Sequence, residues 1–153
     1  MLKRSPGDTF LRMGSVADRL AAYSSSRRPP GVVSAYLLGS HARGAPHADS
    51  DVDVDVGVVL GRRQAEDAAV RESLALDLTA DLVAATHCNA VDVVILNGAS
   101  PELRFLAITE GRRVYLADAE ADHRFVRTVL LRHADLRPFL ERTRRTKLAA
   151  LSQ

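Results

Sequence analysis

The sequence predicts an α+β domain, a small mixed sheet of about four strands with helices packed on it. Three observations predict it. Short valine-rich runs recur at 32–38, 50–60 and 90–96, with a shorter fourth run, "RRVYLA", after Gly111. Longer segments with helical character separate most of them, in the order α-β-β-α-β-α-β-α. At 153 residues, with 46% apolar and 26% charged residues, the chain suits one soluble globular domain with one core.

Each element has its own reason. Residues 8–23 place Phe10, Met13, Val16 and Leu20 at helical spacing, with Asp8 as the expected N-cap. "SSSRRPPG", 24–31, reads as a turn, because Pro29 and Pro30 stop a helix. "VVSAYLL" reads as a strand ending at Gly39-Ser40, where "HARG" starts a helical turn. "SDVDVDVGVVL", 50–60, is the second strand. Residues 62–86 are rich in Ala and Leu without Gly or Pro, which predicts one long helix with an Asp67–Arg71 pair four residues apart. "AVDVVIL" is the third strand. Ser100 as N-cap and Pro101 at the first helical position open a helix that stops at Gly111. Residues 119–150 read as a helical tail broken at Pro138. The expected organisation is one domain, 1–153, with its core at about 32–118.

Composition excludes several classes. No apolar run approaches the ~20 residues that span a bilayer, so no membrane role is expected. The basic N-terminus lacks the apolar stretch of a secretory signal. Cys88 is the single cysteine, which rules out an internal disulfide and fits a cytoplasmic protein. It reads as inert packing. Lys3 and Lys147 are the two lysines, so a catalytic lysine in the core is not expected. Net charge is only +2, but Arg124 to Lys147 holds seven arginines and one lysine against Asp135 and Glu141. Such a tail could hold nucleic acid directly. A solvated helix face is favoured, and no aromatic-basic interleaving of the kind single-strand binders use is present.

The chemistry sits in "LLGSHARGAPHADSDVDVDVGVVL", Leu37 to Leu60. On a strand, Asp51, Asp53 and Asp55 point to one face at ~7 Å intervals, and like charges there repel. Asp92, in "VDVV", would close a triad with Asp51 and Asp53 if the two valine-rich strands are neighbours. All-oxygen ligands suit Mg²⁺ or Mn²⁺ rather than zinc. Two such ions can activate an attacking oxygen and steady a leaving phosphate oxygen. The bland alternative is an edge strand that uses acids against aggregation. Gly39 lets backbone N–H groups approach a phosphate, and Ser40 adds a hydroxyl donor. His41 and His47 read as exposed loop histidines.

Gly39-Ser40, ten residues, then Asp51-Val52-Asp53 resembles the signature of the DNA polymerase β-like nucleotidyltransferases. "VDVVILNGASPELRFLAITEGRRVYLAD" is similar to the downstream pattern of their minimal nucleotidyltransferase (MNT) branch, whose third Asp leads into an Asn, a "P-x-L" helix and a "G-x-x-x-Y" strand. The resemblance covers about 32–118. It implies a polymerase β palm-like sheet, Gly39 and Ser40 on the nucleotide phosphates, and Asp51, Asp53 and Asp92 as catalytic metal ligands for Mg²⁺ or Mn²⁺. Arg43 fits the family's "R-G", touching a phosphate or else pairing with Asp49 or Asp51. Relatives carry a small or apolar residue where this chain has Asp55, so Asp55 is expected to tune the site's field or face solvent.

The resemblance further implies an antitoxin that transfers AMP from ATP to a tyrosine of a cognate HEPN-domain ribonuclease toxin, in a transient or stable hetero-oligomer. Two alternatives stay open: a small-molecule nucleotidyltransferase completed by a second subunit, and an antitoxin that masks its toxin by contact alone. Arg127-x5-His133 has the spacing of the HEPN ribonuclease motif but reads as coincidence in so basic a tail.

Overall fold

The computed structural model describes residues 14–42, 53–88 and 90–152. In chain order the elements are α1 (Val16–Arg27), β1 (Val32–Leu38), β2 (Val54–Leu60), α2 (Arg62–Glu66), α3 (Ala68–Thr86), β3 (Val91–Ile95), α4 (Pro101–Glu110), β4 (Arg112–Leu116) and α5 (Ala119–Leu151). Short 3-10 turns occupy Gly39–His41 and Leu96–Gly98. The four strands form one mixed sheet in the order β3-β2-β1-β4. β1 runs antiparallel to both β2 and β4, and β2 runs parallel to β3. The crossover between the parallel pair is α2 and α3, since parallel neighbours need a long connection.

Both faces of the sheet are apolar, for a reason visible in the alternation. Val54, Val56, Val58 and Leu60 join Val32, Ala35, Leu37, Val91 and Val93 on one face, under Ala17 and Leu20 of α1 and Leu78 and Leu82 of α3. Val33, Tyr36, Leu38 and Val59 form the second face, under Leu96, Ala107 of α4 and Phe125 of α5. β1 serves both faces by alternation, with a register shift between Val32 and Ser34. Every residue of β1 is buried. On β2, by contrast, α4 and α5 cover only the C-terminal half of the second face. Asp55, near the N-terminal end, stays half-buried.

Several boundaries differ from the sequence reading. The first described helix begins at Val16, where Ser15 and Asp18 form a reciprocal capping box, and runs on through Arg27. Asp8, the expected N-cap, lies outside the described residues. Ser24 to Ser26 are helical rather than a turn. Ser26 back-bonds to the Tyr23 carbonyl, and the helix ends at Arg28 in the left-handed region just before the two prolines. The long helix expected over 62–86 is two helices. Asp67 turns its carboxylate onto the N–H groups of Ala69 and Val70 and caps α3 instead of pairing with Arg71. Arg71 donates to the Ala65 carbonyl. Removing that cap by Asp67→Ala is expected to cost about 1 kcal/mol, read as a small drop in thermal midpoint.

Pro138 does not break α5. The helix is continuous from Ala119 to Leu151 with Pro138 inside it. Proline forfeits the hydrogen bond to the Ala134 carbonyl, but Ala134 is exposed, which leaves that oxygen open to solvent.

Asp122 ties α5 to the sheet. Its side chain is 3% exposed. It accepts hydrogen bonds from Ser34 Oγ at 2.5 Å, Tyr36 Oη at 2.8 Å and Arg113 Nη1 at 3.0 Å. Burial, and then the bond to Asp122, push the Tyr36 hydroxyl up to about 12.

Candidate active site

The site lies on the second sheet face, at the end that α4 and α5 leave open. Parallel pairing of β2 with β3 sets Val54 against Val91 and Asp55 against Asp92. Paired residues share a face, and neighbouring strands lie ~4.8 Å apart. Asp55 and Asp92 are therefore abreast. Asp53, two residues earlier, is exposed on the same side. On the other flank of β2, Asp55 pairs with Leu38, the last residue of β1.

β1 then turns sharply. Gly39 adopts φ +69, a conformation that favours glycine. A Cβ built on Gly39 would stand 3.7 Å from Asp55 Oδ2, so bare backbone faces that carboxylate. Ser40 follows within the 3-10 turn Gly39–His41, half-buried. Gly57 keeps the floor of this face open in another way. A Cβ there would meet Leu96 Cδ1 at 2.9 Å, so the missing side chain lets Leu96 lie flat between the carboxylates and Val59.

The electrostatics follow from this placement. The Asp55 carboxyl is raised above its ordinary value. Burial is the largest cause, then the negative charges of Asp92 and Asp53, with His41 acting the other way. A group pushed up by two neighbouring carboxylates is stabilised as an anion by any cation placed among them. The donors are all oxygen, which suits Mg²⁺ or Mn²⁺. Among the described residues no three acidic, histidine or cysteine side chains already converge on one point. The donor chemistry and the shared face of Asp53, Asp55 and Asp92 nevertheless fit a hard divalent ion.

Gly39 stands beside the Asp55 carboxylate, and Ser40 follows it in the same turn. Asp92 and Asp53 share the expected face. Asp51 and Arg43 lie outside the described residues. Asp55 does not simply face solvent: it is half-buried, and the β2–β3 register places it, rather than Asp53, directly opposite Asp92. The available signal was that Asp53-Val54-Asp55 is itself an Asp-x-Asp pair entering the strand Val54–Leu60. His41 also differs from an exposed loop histidine. It is half-buried, and its Nε2 is buried without a hydrogen-bond partner among the described residues. His133 stacks on Phe105 with ring centroids 3.5 Å apart and an interplanar angle of 8°. That packing explains the residue without the ribonuclease motif. Cys88 is half-buried against the core. Among the described residues no helix is long and apolar enough to cross a membrane.

Comparisons with known proteins agree with this fold. The family "Polymerase beta, Nucleotidyltransferase" matches residues 22–120. No curated protein sequence matches the chain. A toxin–antitoxin crystal structure with AMP-PNP aligns with TM-score 0.58 and 21% identity, covering 90% of this chain and 98% of the matched one. A tri-AMPylated Shewanella oneidensis HEPN toxin in complex with MNT antitoxin gives TM-score 0.54 and 20% identity, covering 90% and 97%. The toxin–antitoxin MntA-HepT gives 0.54 and 19%, again covering 90% and 97%.

Proposed function

Because this chain belongs to the polymerase β nucleotidyltransferase family, we propose that it is an antitoxin that transfers AMP from ATP to a tyrosine of a cognate HEPN-domain toxin. The observation that carries the reading is the register that sets Asp55 abreast of Asp92 with the bare Gly39 backbone beside them. That arrangement offers a cation-binding face and a phosphate-sized approach next to each other.

Asp53, Asp55 and Asp92 would hold Mg²⁺ or Mn²⁺. Asp51, from the adjoining segment, would keep the ligand role that the family resemblance implies for it. Gly39, Ser40 and Arg43 would hold the nucleotide phosphates. The divalent ion supplies positive charge that offsets the charge building on the triphosphate. The tyrosine oxygen forms a bond to the α-phosphorus, and the bond to the bridging oxygen breaks as pyrophosphate leaves. Asp92, exposed near the start of β3, would take the tyrosine proton. The site is an open face, so the acceptor arrives on a second protein and not inside a deep pocket. A bulky anion on a ribonuclease tyrosine would repel RNA phosphates.

The test is the intact mass of the toxin after incubation with a trace of this protein, ATP and Mg²⁺. A rise by one or more AMP units that persists after this protein is removed is expected. Equal neutralisation without any mass change would leave masking as the function. A second expectation concerns the ion. ATP should bind more tightly with Mg²⁺ than without it in calorimetry, because triphosphate oxygens complete the ion's shell. Equal affinity would remove the metal from the site.

A further inference from the structure

α5 is longer than the body it packs on. Its first turns are anchored by Asp122 and Val129, and His133 stacks on Phe105 of α4. From Ala134 to Ser152 every residue is exposed except Thr143, which is half-buried. This projecting part would be ~27 Å long at 1.5 Å per residue. Isolated helices of that length are marginal in water.

The apolar stripe does not stop where α4 stops. Val129 and His133 lead on to Leu136, Leu140 and Leu151 at steps of three, four or multiples of a turn, which is one helix face. Leu136 is 36% exposed, Leu140 37%, and Phe139, at the edge of the stripe, 61%. The face that packs on the body thus continues beyond it, uncovered by the described residues.

The flanks of this uncovered stripe carry one sign of charge. Arg132, Arg144 and Lys147 lie on or next to the stripe by helical periodicity. Of the two acids in the region, Glu141 is engaged by Arg137 at 3.0 Å, and Asp135 lies toward the opposite side. A second copy of this helix laid against the first would bring these cations together, which disfavours self-pairing. A nucleic acid would use the cations but has no need of the leucines.

We propose that the projecting half of α5 docks a helix of the protein substrate, one whose apolar stripe is flanked by carboxylates. This rests on the reading above that the acceptor is a separate protein, and it gives that partner a surface away from the carboxylate site. The docked helix continues the packing that α4 begins. Basic flanks steer an acidic partner and set its register.

The test uses the purified HEPN-domain protein as probe and calorimetric affinity at two salt concentrations. Leu136→Glu/Leu140→Glu is expected to weaken binding at least tenfold. Arg144→Glu/Lys147→Glu should weaken it and flatten its salt dependence. Leu131→Glu, on the other side of the helix, should leave affinity unchanged. All three variants should keep wild-type helix content by circular dichroism and wild-type Mg-ATP affinity. Unchanged partner affinity in the Leu136/Leu140 variant overturns the proposal. So does a dimer in sedimentation that the same variant dissociates, or an RNA duplex bound with the same dependence on Leu136 and Leu140. Failure here is separable from failure of the enzymatic reading. If the toxin gains mass but the stripe does not matter, the docking fails and the reaction stands. If binding needs the stripe but no mass is gained, the reverse holds.

Discussion

Asp55→Asn is expected to abolish adenylyl transfer and, at the same time, to raise the thermal midpoint of the metal-free protein. Both effects come from one arrangement. Asp55 is held abreast of Asp92 and near Asp53, and its carboxyl is raised by burial and then by those two charges. Ionised Asp55 is therefore less favourable in the folded protein than in the unfolded chain. Its sign follows directly: the contribution to stability is fullest below the ordinary value of 3.8 and is lost as pH rises through the raised folded value. Asparagine removes that repulsion at neutral pH. It also removes one of the carboxylates proposed to hold the ion, and losing several kcal/mol of charge stabilisation would slow transfer roughly a thousandfold or more. Asp53→Asn and Asp92→Asn should be similarly inactive. Pyrophosphate release and a melting scan without divalent ion check the pair of effects. If Asp55→Asn keeps near-full transfer while Asp51→Asn loses it, the ligands are Asp51, Asp53 and Asp92, and Asp55 is a bystander.

The largest purely structural effect is expected at Asp122. Asp122→Ala leaves the buried hydroxyls of Ser34 and Tyr36 without their acceptor and frees Arg113. Each stranded hydroxyl costs about 1–3 kcal/mol. A total of about 3 kcal/mol would lower the thermal midpoint of a domain this size by roughly 6–12 °C. Scanning calorimetry of the two proteins measures it, and a shift below about 2 °C, under 1 kcal/mol, would mean the network is not what anchors α5. The same network predicts alkaline behaviour. Tyr36 is held protonated up to about 12 against an ordinary 10.0, so its contribution is full below pH 10 and is lost between there and about 12. Denaturant midpoints across that range should fall in the wild type and fall less in Tyr36→Phe.

The three main strands, the helix from Pro101 and the chain order were legible because their signals are local. β1 was placed at 32–38 and α4 at 101–110 from apolar runs, a serine cap, a proline and a glycine. The acidic Asp-x-Asp, the glycine-serine turn and the third carboxylate on another strand were also local patterns, and they sufficed to recognise the chemistry. The family match over residues 22–120 bears that recognition out. The split at Asp67 was missed because one side chain had two uses. As a cap it satisfies two backbone N–H groups that nothing else would reach.

Sequence alone determined which residue types carry the site: carboxylates at alternate positions of a strand, beside a turn that only glycine makes easily. Tertiary structure decided which carboxylates meet. Alternation puts Asp53 and Asp55 on one face but says nothing of how far β3 slides along β2. That register comes from the valines on the other face, where Val54, Val56, Val91 and Val93 must pack together under Leu78 and Leu82. Setting Val54 against Val91 sets Asp55 against Asp92. Tertiary structure likewise decided the fate of the tail. Its periodicity announced a helix, and only the short reach of α4 left the far half of that helix's apolar face uncovered.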